Sequence, residues 1–190
     1  MMNDFEWNDD EDLEKNFHDR SLLKKNRSRT EYGYVCKRKK VLHRADGPAV
    51  IMSNGSKYWY WHGEMHRKDA PAIETPDGTF EWFSHGLNHR ENGPAISSRQ
   101  VTKWCRNGFF HREDGPAFIF EDHSFIYMKI SKHWYLNGLR HREDGPAFIG
   151  SGGEECWYFN GVLHRNDGPA VIGNGREEWW LHGARQEDPK

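Results

Sequence analysis

The sequence predicts an all-β protein: an elongated β-hairpin repeat solenoid, a single antiparallel sheet of about six to seven 23-residue repeats, with a short N-terminal helical cap. The first observation is a heptad, His-Arg-x-Asp-Gly-Pro-Ala, that recurs with small variations and ends in a degenerate copy at Gln186. Its full copies begin at His43, His66, His89, His111, His141 and His164. The second is an aromatic content of nine Trp, seven Tyr and eleven Phe, enough large rings to hold together a thin fold.

The segment 1–33 precedes the repeats, and we expect it to be helical and acidic at its start. Asn8 or Asp9 suits a helix N-cap, and basic residues follow near the other end, as the helix dipole favours. This helix would cap the first repeat, because the ends of a solenoid must be covered. The alternative is a segment that docks into a partner. The repeat domain is predicted to span 34–190.

Each repeat contains an aromatic strand followed by a tight turn. A tryptophan stands seven residues before the histidine in most copies, and a glycine stands three residues before it. The residue before that glycine is Asn in three copies and His in the other three, as in Asn137-Gly138 and His62-Gly63. Asn-Gly after a strand is typical of a hairpin turn in which both residues take positive φ. The pattern therefore predicts one hairpin per repeat.

The second half of the heptad predicts another turn and a strand. Asp-Gly favours a turn, and Pro is tolerated at the first position of the strand that follows. Alanine comes next in all six full copies, followed by an apolar residue such as Val50 or Phe148. Stacked hairpins would then form one long sheet, with tryptophans on one face and small alanines allowing close approach.

The pattern Trp-x-x-Asn-Gly-x-x-His with its 23-residue period resembles the MORN repeat over about residues 34–186. It departs where that repeat has Gly-x-Gly and this chain has Arg-x-Asp-Gly-Pro-Ala. The variant is similar to repeats in uncharacterised phage, bacterial and giant-virus proteins. The resemblance implies a curved β-sheet used for binding or scaffolding, without catalytic residues. A phage protein of this type would act as an inhibitor or adaptor on a host defence protein in the host cytoplasm.

The repeated polar residues are predicted to stabilise the fold rather than to catalyse a reaction or bind a metal. Equivalent histidines in neighbouring copies should lie about 10 Å apart, too far for two of them to share a zinc ion. A catalytic site needs a single distinctive arrangement of side chains, whereas here the same motif occurs in every copy. We therefore expect no enzyme activity, no metal and no cofactor. In this interpretation the histidine fills a semi-buried slot, and the arginine spans to the Asp or to a carbonyl of a neighbouring copy.

The alternative for the arginines is a stripe that binds phosphate, as in a nucleotide or nucleic-acid binder. That stripe would consist of Arg44, Arg67, Arg90, Arg112, Arg142 and Arg165. The formal net charge of −2 provides no global attraction for a polyanion. A membrane partner is not expected either, since no segment approaches the length of a membrane span. An acidic start and an odd number of cysteines, three, favour a cytoplasmic location.

One irregularity interrupts the repeat between His111 and His141, where the step is 30 residues. The extra residues fall between Phe120 and His133 and predict an extended hairpin, either folded on its own sheet or exposing apolar side chains. Identical copies cannot easily specify one attachment point, so a protein partner is expected here first and at the N-terminal segment second. The predicted contacts are Phe120, Phe125, Ile126, Tyr127 and Met128. The sequence thus favours a non-enzymatic protein-binding or scaffold module.

Overall fold

The structure, a computed structural model, describes the backbone of residues 20–26 and 29–34, and residues 41–124 and 129–188 in full. These residues form strands and turns, with no helix among them. The strands in chain order are β1 (Arg20–Asn26), β2 (Arg29–Tyr34), β3 (Val50–Ile51), β4 (Lys57–Tyr58), β5 (Tyr60–Trp61), β6 (Glu64–Met65), β7 (Ile73–Glu74), β8 (Phe80–Glu81), β9 (Phe83–Ser84), β10 (Leu87–Asn88), β11 (Ile96–Ser97), β12 (Val101–Lys103) and β13 (Cys105–Arg106). They continue with β14 (Phe109–Phe110), β15 (Phe118–Asp122), β16 (Lys129–His133), β17 (Tyr135–Leu136), β18 (Leu139–Arg140), β19 (Phe148–Ile149), β20 (Glu155–Cys156), β21 (Tyr158–Phe159), β22 (Val162–Leu163), β23 (Val171–Gly173), β24 (Arg176–Glu178), β25 (Trp180–Leu181) and β26 (Ala184–Arg185).

Fourteen of these strands form one antiparallel sheet, which we call the main sheet. Its order is β1-β2-β3-β4-β7-β8-β11-β12-β15-β16-β19-β20-β23-β24. Each repeat contributes one hairpin of this sheet, built from the strand after the buried alanine and the strand before the next tryptophan. The predicted all-β class and the long antiparallel sheet are confirmed.

The prediction of a single sheet missed a second row of hairpins. Each Asn-Gly or His-Gly turn closes a separate two-stranded ribbon, and there are six: β5/β6, β9/β10, β13/β14, β17/β18, β21/β22 and β25/β26. Both turn residues take positive φ, for example 50° at Asn137 and 83° at Gly138. The predicted turn type is therefore confirmed, but the hairpin it closes lies outside the main sheet.

The tryptophan joins the two hairpins of a copy. Its backbone N–H donates to the carbonyl of the alanine in the same copy, as in Trp134 to Ala147 at 2.8 Å. Its backbone carbonyl accepts the N–H of the motif histidine, as in His141 to Trp134 at 3.2 Å. The alanines lie at this junction with no exposed surface, and Ala147 is one of six. A larger side chain would not fit there. The expected close approach at alanine is confirmed, and the core follows this row of junctions.

The helical cap expected within residues 1–33 is not found where the structure describes that segment. Arg20–Asn26 and Arg29–Tyr34 are instead strands β1 and β2, which pair with each other. Strand β2 also pairs with β3, with Gly33 opposite Val50. The reason is that the first repeat leaves a sheet edge whose N–H and C=O groups need partners, and strands can supply them. Residues 1–19, including Asn8 and Asp9, lie outside the described residues.

Candidate functional site

Each motif arginine is held inside its own copy. Arg142 Nε donates to Asp144 Oδ1 at 2.8 Å, and Arg142 Nη1 donates to the carbonyl of Pro146 at 3.3 Å. The same two bonds form at Arg44, Arg112 and Arg165. We expected a carbonyl of a neighbouring copy as the alternative partner; the carbonyl that the arginine reaches is in its own copy. The arginine therefore closes the heptad turn rather than linking repeats.

The guanidinium group also lies between a tryptophan ring and a glycine. Arg142 Cζ is 4.2 Å from the ring centroid of Trp134, and the distance is 3.8 to 4.0 Å in four other copies. A methyl group on Gly145 would lie 3.0 Å from the same Cζ. This contact explains why glycine follows the Asp in most copies, since a side chain there would crowd the guanidinium against the ring.

Three of the carboxylates that accept these bonds have a pKa below the ordinary value of an aspartate. The hydrogen bond from the arginine, and then its charge, lowers the pKa of Asp114, Asp144 and Asp167. The side chains differ in exposure, however: that of Arg142 is 23% exposed and that of Asp144 is 83% exposed. Glu143 beside it is also exposed. A phosphate approaching the predicted arginine stripe would therefore meet carboxylates first.

Two copies depart from this arrangement. In the copy that begins at His66, Ala70 replaces the glycine, and Arg67 bonds to the carboxylate of Glu74 at 2.6 Å. Asp69 there takes a φ of 61°. In the copy that begins at His89, the Asp is replaced by Asn92, while Arg90 keeps its bond to the carbonyl of Pro94 and its place over Trp82. The ring and the proline carbonyl thus hold the arginine even without the aspartate.

The motif histidine, not the arginine side chain, connects neighbouring copies. His141 Nδ1 accepts the N–H of Asn160, the first turn residue of the next ribbon, at 3.1 Å. The equivalent bonds in the other copies measure 3.0 to 3.3 Å. Backbone bonds flank it, from Gly161 N–H to the carbonyl of Arg140 and from Arg142 N–H to the carbonyl of Tyr158. The imidazole therefore takes the place of a backbone acceptor between ribbons.

This bond requires a histidine whose Nδ1 carries no proton. Burial, with a smaller contribution from His62, lowers the pKa of His43 to about 4. Burial also lowers the pKa of His66. Sequence reasoning placed the histidine in a semi-buried slot but missed its role as an acceptor, because the partner N–H lies 18 to 26 residues away along the chain.

The ribbons have an inner and an outer face. On the inner face, Arg140 donates to the hydroxyls of Tyr135 and Tyr158 and lies 5.7 Å from the ring centroid of Phe148 in the main sheet. The outer face carries the other cross-strand pairs, such as Arg106 with Phe109. The next such pair is Leu136 with Leu139. The inner face thus packs against the main sheet, and the outer face is the side that carries exposed side chains such as Phe109 and Leu139.

Large apolar side chains stand exposed along this outer face, at the position after the turn glycine in four successive ribbons. We call Leu87, Phe109, Leu139 and Val162 the ribbon row; they are 50, 63, 51 and 43% exposed. Each lies against the turn of the following ribbon: a methyl group on Gly138 would be 3.0 Å from Phe109 Cδ1, and one on Gly161 would be 3.3 Å from Leu139 Cδ2. The row is therefore continuous from one copy to the next. Its signal in the sequence was an apolar residue directly after the turn glycine in four successive copies.

The acidic turns flank the ribbon row. Arg106, which pairs with Phe109, approaches Glu113 of the adjacent turn at 4.0 Å. Farther along, an open trough of about 890 Å³ separates two successive turns, with Trp157 and Phe159 and the carboxylates of Glu143, Asp144 and Asp167 in its lining. The outer face thus combines apolar side chains with exposed negative charge.

The predicted binding insertion forms the extended hairpin β15/β16 within the main sheet. Phe120 lies in β15, half-buried, between Val101 of β12 and Ser131 of β16. The other four predicted contacts, Phe125, Ile126, Tyr127 and Met128, lie outside the described residues. Their role as a partner site remains a prediction.

Among the described residues there is no group of three or more His, Cys, Asp or Glu side chains that could hold a metal ion. Within the same part of the chain there is no helix of the length and apolarity needed to cross a membrane. Neither family models, nor curated proteins, nor solved structures match the chain. The resemblance to the MORN repeat therefore rests on the residues quoted above alone.

Proposed function

We propose that the chain is a non-enzymatic protein-binding module that presents the outer face of its ribbons to a partner. The observation that carries this proposal is the ribbon row. Four large apolar side chains, each about half exposed, follow one another without interruption. A contiguous exposed apolar surface of this kind is typical of protein interaction sites.

The repeated polar groups support a framework role beside that surface. The motif arginine donates to the proline carbonyl in all six full copies and to the aspartate in four, and the histidine accepts a turn N–H of the next ribbon, so these groups are already engaged. A catalytic site would need groups poised toward a pocket. Binding without catalysis is the activity of an inhibitor or adaptor, the two roles that the resemblance to phage repeat proteins implies.

The test is an affinity capture from the cells in which the protein acts, with matched variants as bait. Phe109→Ser with Leu139→Ser should reduce capture of the partner at least tenfold, because aromatic and aliphatic anchors at an interface centre contribute about 2 kcal/mol or more. The control is Phe80→Ser, since Phe80 is 39% exposed but lies in β8 of the main sheet. Full capture by the double variant would reject the ribbon row as the site.

The insertion is tested in the same experiment. Replacing Phe125 and Tyr127 by Ser leaves the ribbon row and the ladder tryptophans untouched. If this variant loses the partner and the ribbon variant keeps it, the binding site is the extended hairpin. Loss with both variants would indicate one partner that spans both surfaces.

A further inference from the structure

We propose that the partner on the ribbon row is a cationic polypeptide segment that lies extended along the row, with apolar side chains between its lysines or arginines. This inference rests on the proposed function, because it concerns the occupant of the same surface. Two observations lead to it: the charge that borders the row, and the regular step of the row itself.

Charge complementarity selects the sign of the partner. The turns beside the row present Glu113, Asp114, Glu143, Asp144 and Asp167, with side chains 73 to 83% exposed. The motif arginines that partly balance them are only 22 to 23% exposed, and each guanidinium faces a tryptophan ring and a glycine. Arg106, 51% exposed, also lies on the outer face and pairs with Glu113, so against these five carboxylates the surface that a partner meets is negative on balance, although the chain as a whole is close to neutral. Positive side chains are attracted to such a surface, and an acidic partner is repelled.

The trough between two turns offers a place for one such side chain. Phe159, 37% exposed, lies there with Glu143, Asp144 and Asp167. Arg142 and Arg165 also line the trough, but they are only 22 to 23% exposed and are paired with Asp144 and Asp167, so Glu143, 79% exposed, carries the charge that they do not balance. A lysine ammonium or an arginine guanidinium can lie over an aromatic face and bond to carboxylates at the same time. Phe159 also forms a cross-strand pair with Val162, so this place is continuous with the ribbon row.

The step of the row favours an extended chain. Each repeat adds two strands to the main sheet, so successive members of the row are separated by about 9.6 Å. A polyproline II segment repeats every three residues, about 9.3 Å. An α-helix returns to the same face after seven residues, about 10.5 Å, and drifts out of step sooner along four copies. An extended segment with apolar side chains at every third position would therefore contact all four members.

The experiment is selection of a random peptide display library on the full chain. We expect the selected peptides to be enriched in Lys and Arg over the starting library, with apolar residues between them. Their affinities are then measured by fluorescence anisotropy. Phe109→Ser with Leu139→Ser, and separately Glu113→Gln with Glu143→Gln, should each weaken binding at least about tenfold.

Two matched variants serve as controls, each placed in the main sheet. Glu177→Gln removes an exposed carboxylate from β24, and Phe80→Ser removes an exposed ring from β8; neither should change the affinity. Raising the ionic strength from about 50 mM to about 500 mM should weaken binding of the selected peptides severalfold.

The outcomes separate the two proposals. Neutral or acidic peptides that depend on Phe109 and Leu139 would overturn the cationic partner and leave the binding face intact. Selection of no peptide that depends on those residues would overturn both. Cationic peptides that bind equally to the Glu113→Gln/Glu143→Gln variant would overturn the role assigned to the acidic turns.

Discussion

The heptad turns and the outer face of the ribbons belong to the same repeat but differ in what their side chains contact. In the turns, Arg142 is engaged by Asp144, Pro146 and Trp134. On the ribbon, Leu139, three residues earlier, is half exposed. The turn residues recur almost unchanged, whereas the position after the turn glycine holds Glu64, Leu87, Phe109, Leu139, Val162 and Ala184. Positions that are nearly the same in every copy thus stabilise the fold, and the position that varies between copies lies on the surface available for recognition.

The largest loss of stability should come from removing a motif arginine. Arg142→Ala deletes two charge-assisted hydrogen bonds and the contact with the Trp134 ring. Such bonds contribute about 1.5–3 kcal/mol, so we expect the free energy of unfolding to fall by about 2 kcal/mol in urea titrations. Arg106→Ala is the control, because Arg106 is exposed and its ion pair is long; it should change stability by less than about 0.5 kcal/mol. Equal losses would contradict the assignment.

A smaller loss is expected from the glycine beneath that cation. Gly145→Ala places a methyl group 3.0 Å from Arg142 Cζ, and we expect it to cost about 1 kcal/mol, the lower end for overpacking, because Arg67 keeps its place over Trp59 beside Ala70. The reciprocal change, Ala70→Gly, lies in the copy where Arg67 already uses Glu74. It should cost less than Gly145→Ala in the same urea titrations. If Gly145→Ala unfolds at the same urea concentration as the wild type, the guanidinium of Arg142 is not confined between the ring and the glycine.

Acid should weaken the links between repeats. The folded-state pKa of His43 is about 4, below its ordinary value of 6.5, so between these values the unfolded chain binds more protons. The free energy of unfolding should therefore fall as the pH is lowered from about 6.5 to about 4. His43→Asn keeps an acceptor near the Nδ1 position but cannot take up the proton. In urea titrations at about pH 7 and pH 5, this variant should lose less stability than the wild type; an identical loss would exclude His43 as a cause.

The hairpin turns were predictable because only a few residues accept positive φ in succession, and Asn137-Gly138 is such a pair. The partner of His141 was not predictable in the same way, because the N–H of Asn160 becomes its neighbour only when two copies stack. The strands β1 and β2 were missed for a related reason. Their local pattern suggested a helix, whereas the open edge beside β3 is a property of the whole sheet.

The sequence alone narrows the exposed row to one of the two faces of each ribbon. Leu139 follows Gly138, so it starts the return strand of a two-residue hairpin and faces the same side as Leu136, opposite Arg140. Which of these two sides is covered depends on where the main sheet lies, and that required the structure. The repeat pattern therefore predicted the elements, while their packing decided which apolar side chains remain exposed.

The most direct test of the account compares two variants from one copy, Arg142→Ala and Leu139→Ser, in both urea unfolding and peptide binding. We predict that Arg142→Ala lowers the free energy of unfolding by about 2 kcal/mol and does not weaken binding of the peptide by the folded protein, because its loss leaves the carboxylate of Asp144 in place. Leu139→Ser should leave stability within about 0.5 kcal/mol of the wild type. It should weaken binding of a selected cationic peptide by about tenfold. A stable Arg142→Ala variant that loses the peptide, together with a Leu139→Ser variant that unfolds easily but binds normally, would contradict the account.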